Sequence, residues 1–174
     1  EELMDAVDQA DSARYSEEDI LAPSDWTLLN FLVDPATGLD RAKAFSITNE
    51  QFIEDLMTYC RHNPIEEILQ LPDVLERFEI YTYDSEFAER QYKRCSRIEG
   101  KVVVSDMRDE EELVPVNRFL VYALYPDCNT SIRIEKTRDG RVRIAAGRSI
   151  LDRSANANIG SLMLAHGGGG HAAA

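Results

Sequence analysis

The chain has no stretch of about 18 apolar residues, the least that a membrane-spanning helix needs. Its amino terminus, Glu1-Glu2-Leu3-Met4-Asp5, carries acidic residues where a signal peptide would carry basic ones. Both absences exclude a membrane partner and make the cytoplasm the expected compartment. Cysteine is scarce too. Cys60, Cys95 and Cys128 are odd in number, far apart and free of any Cys-x-x-Cys spacing, which argues against a disulfide framework and against a zinc site. Each reads as a small buried hydrophobe. Histidine occurs three times, at His62, His166 and His171. Basic residues are outnumbered, 19 against 32 acidic ones, so the net charge of −13 would repel long nucleic acid at a distance, and a duplex binder would be expected to show a broad basic face.

What the chain does have is the composition of an ordinary globular protein, 44% hydrophobic and 29% charged over 174 residues, enough for one or two small cores. The charge is unevenly placed. From Pro115 to the end there are eight basic and four acidic residues, a net of +4, whereas residues 1–114 hold 11 basic against 28 acidic, a net of −17. A small phosphate-bearing ligand held locally by the carboxyl-terminal part fits this division better than an extended polyanion does.

The first hundred residues read as helical. Residues 1–11 form one helix, Ser16 to Leu21 a short capped one, and Asp25 to Phe31 an amphipathic one around Trp26, followed by a turn at Asp34-Pro35-Ala36-Thr37-Gly38. Thr48-Asn49-Glu50-Gln51 matches a capping box ahead of Phe52, Ile53, Leu56, Met57 and Cys60 at helical spacing, and Asn63-Pro64 stops that helix. Ile65 to Leu71 and residues 73–98 continue as helix, the second carrying Tyr81, Tyr83, Phe87 and Tyr92. Those aromatics sit among acidic side chains, so they read as cover for a neighbouring element ahead of a base-stacking surface.

The period then changes. Lys101 to Ser105 is a β-branched run read as a buried strand, Asn117 to Tyr125 a helix ended by Pro126, and Thr130 to Thr137 with Arg141 to Ala146 two strands of a hairpin turning at Arg138-Asp139-Gly140. The fold class is α/β: a helical amino-terminal segment followed by a mixed sheet flanked by helices. On the last strand Arg141 and Arg143 share one face, either lining a cleft or facing solvent.

Chemistry concentrates at the carboxyl end. Arg148-Ser149 and Arg153-Ser154 are followed by a short apolar helix, Ile159 to Ala165, and then by Gly167-Gly168-Gly169-Gly170-His171-Ala172-Ala173-Ala174. Consecutive glycines visit positive φ freely, so their amides can converge on an anion, and phosphate is the natural guest. A flexible carboxyl-terminal linker is the plainer reading of the same run. A nucleotide P-loop does not fit, because no Lys-Ser/Thr follows the glycines and the run does not open a helix.

This succession of strand, Arg-Ser pair, short helix and Gly-Gly-Gly-His resembles the signature of the DHHA1 domain, the carboxyl-terminal substrate-binding domain of the DHH phosphoesterase superfamily. The segment is most similar to exopolyphosphatase-like and oligonucleotide-phosphodiesterase-like members, and the resemblance extends over most of the chain. It implies that Arg148, Ser149, Arg153, Gly167, Gly168, Gly169, Gly170 and His171 bind the phosphate of a substrate. That substrate is an oligonucleotide, a dinucleotide or polyphosphate, met as a phosphate-bearing small molecule or a short single strand; a homodimer is left open. Arg148 ranks first, although Arg153-Ser154 fits the family's shorter spacing to the glycines. The superfamily's catalytic half holds Mn²⁺ or Mg²⁺ through aspartates and an Asp-His-His motif, which is lacking here. The expectation is therefore a fragment without catalytic residues, inactive and metal-free by itself, divided into residues 1–22 as the tail of a catalytic domain, 23–100 as a helical linker region and 101–174 as a DHHA1-like domain. Asp8, within Val7-Asp8-Gln9-Ala10-Asp11-Ser12, is the candidate metal ligand, with Asp11 second and helix capping as the alternative role. A non-catalytic nucleotide- or phosphate-binding module is the competing function.

Overall fold

The computed structural model describes residues 2–42, 44–137 and 139–174. Glu1, expected to open the first helix, and Arg138, expected in the hairpin turn, lie outside the described residues. The chain divides into two compact units, Glu1–Glu89 with Val114–Arg118, and Arg90–Leu113 with Phe119–Ala174.

The first unit is helical: α1 (Glu2–Asp11), α2 (Glu17–Leu21), α3 (Asp25–Val33), α4 (Leu39–Ala42), α5 (Asn49–His62), α6 (Ile65–Ile68) and most of α7 (Pro72–Cys95). Local chemistry sets the starts. Ser16 accepts from the amide of Asp19, whose carboxylate returns the bond to the Ser16 amide, and Thr48 accepts from the amide of Gln51 at 3.2 Å. The turn after α3 closes through the Thr37 amide on the Asp34 carbonyl, 2.9 Å, and the Ala36 amide on the Asp34 carboxylate, 2.8 Å. Phe31, Phe52, Ile20, Ile68 and Val74 are buried at the centre. The expected helix from Ile65 to Leu71 is a single turn ending at Ile68, and α4 was not foreseen.

Arg77 and Asn117 are polar groups built into this core. Arg77, 1% exposed, lays its guanidinium over Phe45 and Phe52, 4.2 and 3.7 Å from the ring centroids, and donates to the carbonyls of Asp73 and Ile47. Asn117, 2% exposed, donates to the Ile20 carbonyl at 3.1 Å and to the Tyr81 hydroxyl at 2.9 Å.

The second unit carries a four-stranded sheet in the order β1-β2-β3-β4, with β1 (Ser96–Glu99), β2 (Val102–Asp106), β3 (Thr130–Lys136) and β4 (Val142–Arg148). The β2/β3 pair is parallel, its crossover containing α8 (Leu120–Leu124), and the two outer pairs are antiparallel. Val103 and Val104 are buried, as suits a β-branched central strand. The α/β class with flanking helices, α9 (Ile159–Ala165) being the last, is as the sequence indicated. Three boundaries move. The long helix stops at Cys95 and Ser96–Glu99 is a strand; the helix read from Asn117 begins at Leu120; and β4 runs on through Gly147 to Arg148, which pairs with Thr130. The two arginines expected to share a face of the last strand, Arg141 and Arg143, are engaged in ion pairs. Arg143 and Arg133 both grip the carboxylate of Glu135, which is 3% exposed, and Arg141 binds Asp139 at 2.6 Å.

Candidate phosphate-binding site

The residues of interest lie where β4, a tight loop, α9 and the chain end meet within the second unit. Arg148 closes β4. Its guanidinium reaches into the loop that follows, donating from Nη1 to the Ala155 carbonyl at 3.1 Å, and the group is half-buried. A fork with five donors retains others after that one is used. Ser149 is 4% exposed; its hydroxyl oxygen accepts from the amides of Leu151 (3.2 Å) and Asp152 (3.0 Å), while its own amide donates to Asn129. Ser149 therefore shapes the loop and does not turn its hydroxyl to solvent. Asp152 extends the same loop. Hydrogen bonds from Ser154, aided by Lys101 3.5 Å away, hold its carboxyl below the usual carboxylate range. Arg153, at the exposed crest, donates to the Ile150 carbonyl at 3.1 Å.

Asn158 then caps α9 by accepting from the Ser161 amide at 3.0 Å. At the far end of α9 the glycines begin, and the first two are occupied. The Gly167 amide donates to the Leu164 carbonyl and the Gly168 amide to the Met163 carbonyl, with Gly167 at φ +80°. These two bonds close the helix with a left-handed residue, which a glycine adopts without the penalty of a Cβ. Four converging amides were expected; two of the four are committed to this cap. The amides of Gly169 and Gly170 donate to no group among the described residues, and both glycines are exposed.

The tail then folds back. The carbonyl of Ala172 accepts from the Ile159 amide at 3.0 Å and that of Ala173 from the Arg148 amide at 2.8 Å, while the His171 amide donates to Ala174. Arg148 and the Gly169–His171 segment are thereby held in one neighbourhood, with the His171 side chain exposed. The segment offers open backbone amides at Gly169 and Gly170, the exposed imidazole of His171 and the guanidinium of Arg148, with the Asp152 carboxylate in the same loop as the guanidinium. Donors of these kinds can hydrogen-bond an oxyanion. Sequence reasoning missed Asn129, Asn158 and Gly160. An isolated glycine within a helical pattern was the available signal for the last of these.

Asp8 belongs to the other unit, exposed on α1, where its carbonyl accepts from the Ser12 amide and hydroxyl. No group of three or more His, Cys, Asp or Glu that could hold a metal occurs among the described residues. The described residues thus do not compose the dinuclear centre that the resemblance implies. The helical unit has its own concavity, about 340 Å³, lined by Leu3, Val7, Trp26, Leu29, Ile53 and Met57 among others. Its walls are nearly all apolar.

No family model and no curated protein matches the chain. A solved structure does: the pGpG-specific phosphodiesterase PggH from Vibrio cholerae, with a TM-score of 0.89 and 44% sequence identity, covering 99% of this chain and 58% of that one. The chain thus spans a little under three-fifths of the length of that relative.

Proposed function

We propose that this chain is the substrate-binding portion of a DHH-type phosphodiesterase that hydrolyses a short linear dinucleotide, with its carboxyl-terminal domain of the DHHA1 kind. The observation that carries the reading is the match to a pGpG-specific phosphodiesterase at 44% identity over 99% of the chain. The donor set at Gly169, Gly170, His171 and Arg148 supports it independently, because all of these groups suit a terminal phosphate. The charge division supports a short substrate over polyphosphate, since residues 1–114 carry −17 and would oppose a long polyanion.

In this reading the glycine amides and His171 hold the terminal phosphate, Arg148 adds positive charge, and Ser149 keeps the loop that aims the guanidinium. Hydrolysis adds water across the internucleotide linkage: a P–O bond forms to water, the P–O bond to the sugar oxygen breaks, and that oxygen leaves with a proton.

The test measures turnover of pGpG, longer oligonucleotides and polyphosphate by the full-length natural protein with Mn²⁺, beside His171→Ala and Arg148→Ala. The expected result is preferential cleavage of pGpG and a loss of about 100-fold in kcat/KM for either variant, the scale on which a positioned oxyanion donor acts. A full-length protein silent on every phosphate substrate would overturn the reading in favour of a non-catalytic binding module.

A further inference from the structure

We propose that Gly160, in the first turn of α9, is the positioning residue for His171, and that its missing side chain sets where the imidazole is delivered. The proposal rests on the phosphate-binding reading of the glycine loop. A Cβ built on Gly160 would stand 2.6 Å from the carbonyl oxygen of Gly170, 2.6 Å from that of His171 and 2.9 Å from the His171 carbonyl carbon. All three are backbone atoms, so no side-chain rotation relieves the overlap.

The contact is reciprocal. A Cβ on Gly170 would approach the Ala174 carbonyl oxygen to 2.5 Å and the Gly160 Cα to 3.9 Å, and Gly170 has φ +151°, a conformation that L side chains rarely adopt. The tail is therefore laid directly against the first turn of α9, backbone on backbone. Its seat is completed by the Ile159 amide on the Ala172 carbonyl and the Arg148 amide on the Ala173 carbonyl. Gly160 itself is buried, whereas the His171 side chain it underlies is exposed. Glycine is a poorer helix former than alanine. The close approach of the tail is what the residue supplies in return.

The full-length natural protein is compared with Gly160→Ala, His171→Ala, the double variant, and Leu162→Ala as a control for change on the same helix, since Leu162 is 49% exposed. Gly160→Ala is expected to lower kcat/KM for pGpG by about 100-fold, the cost of misplacing a reacting or binding group by about 1 Å. Leu162→Ala stays within about twofold. The double variant is expected to be no worse than His171→Ala, because two changes acting through one side chain do not add. Additive losses, or a Gly160→Ala enzyme within about twofold of wild type, overturn the proposal. An NOE between the Gly160 α-protons and the His171 amide in the unsubstituted protein tests the contact even if Gly160→Ala fails to fold; its absence overturns the proposal as well. A wild-type protein inactive on all phosphate substrates defeats the functional reading instead, while the NOE still decides the contact.

Discussion

The two units keep their polar groups in order by different means. In the helical unit the decisive polar atoms are side chains sealed in the core, each with a named partner: Arg77 between Phe45 and Phe52, and Asn117 between Ile20 and Tyr81. Around the glycine loop of the second unit the decisive atoms are backbone ones: the Gly167 and Gly168 amides on the helix end, and the Ala172 and Ala173 carbonyls on Ile159 and Arg148. Buried side-chain pairs govern whether a region folds. Backbone contacts at the surface govern where a few exposed groups stand, and substitution there disturbs function ahead of stability.

The contrast breaks first at Arg77. Arg77→Ala deletes a large buried side chain and both ring contacts, and is expected to cost about 3 kcal/mol in denaturant unfolding. Phosphate-substrate KM should be unchanged in the fraction that stays folded; a KM change as large as the stability change would sink the division of labour. Asn117→Ala comes next, with an expected loss of about 2 kcal/mol, because the Tyr81 hydroxyl and the Ile20 carbonyl lose their donor in a buried site. A measured loss below about 0.5 kcal/mol would show that water reaches both groups.

Gly167→Ala sharpens the comparison from the other side. A left-handed residue at φ +80° is expected to cost about 1 kcal/mol as alanine, read by thermal unfolding, and to weaken substrate binding by displacing Gly169 and Gly170. Equal binding by variant and wild type would detach the helix cap from the site.

The smallest effect is pH-dependent and lies in the second unit. Hydrogen bonds from Arg94, then from Gln91 and Cys95, hold the Glu110 carboxyl at about 2, below its ordinary 4.5. A carboxyl depressed in the folded state stabilises it fully above about 4.5, and that contribution is lost as pH falls towards about 2. Glu110→Gln should therefore flatten the fall of the thermal midpoint across that window by a modest amount. The same variant should bring down the Cys95 thiol, which burial first and Glu110 second push up to about 11. Faster alkylation of Cys95 in Glu110→Gln is the check, and an unchanged rate would leave burial as the whole cause.

Much of the helical unit was legible because its signals are local. Ser16 and Thr48 announce helix starts by side-chain chemistry three residues deep, and Asp34 announces a turn. The β1 strand was not legible. Ser96-Arg97-Ile98-Glu99 is an edge with Ile98 56% exposed, so its charged, unalternating sequence continues the pattern of α7. Asn117 was read into a helix because the apolar residues after it are helical; its true place depends on Ile20, 97 residues earlier in the chain.

By itself the sequence determined which segment carries the candidate chemistry, since Arg148, the glycines and His171 are donors whatever their arrangement, and it determined the α/β class, since strand and helix periods are written in short windows. Only the tertiary structure decided which donors remain open. Gly167 and Gly168 surrender their amides to the end of α9, Ser149 turns its hydroxyl into a loop, and Gly160 admits the returning tail. Each of these outcomes depends on a backbone group brought near by folding, and a backbone group is the same for every residue type, so no residue letter records where it is spent.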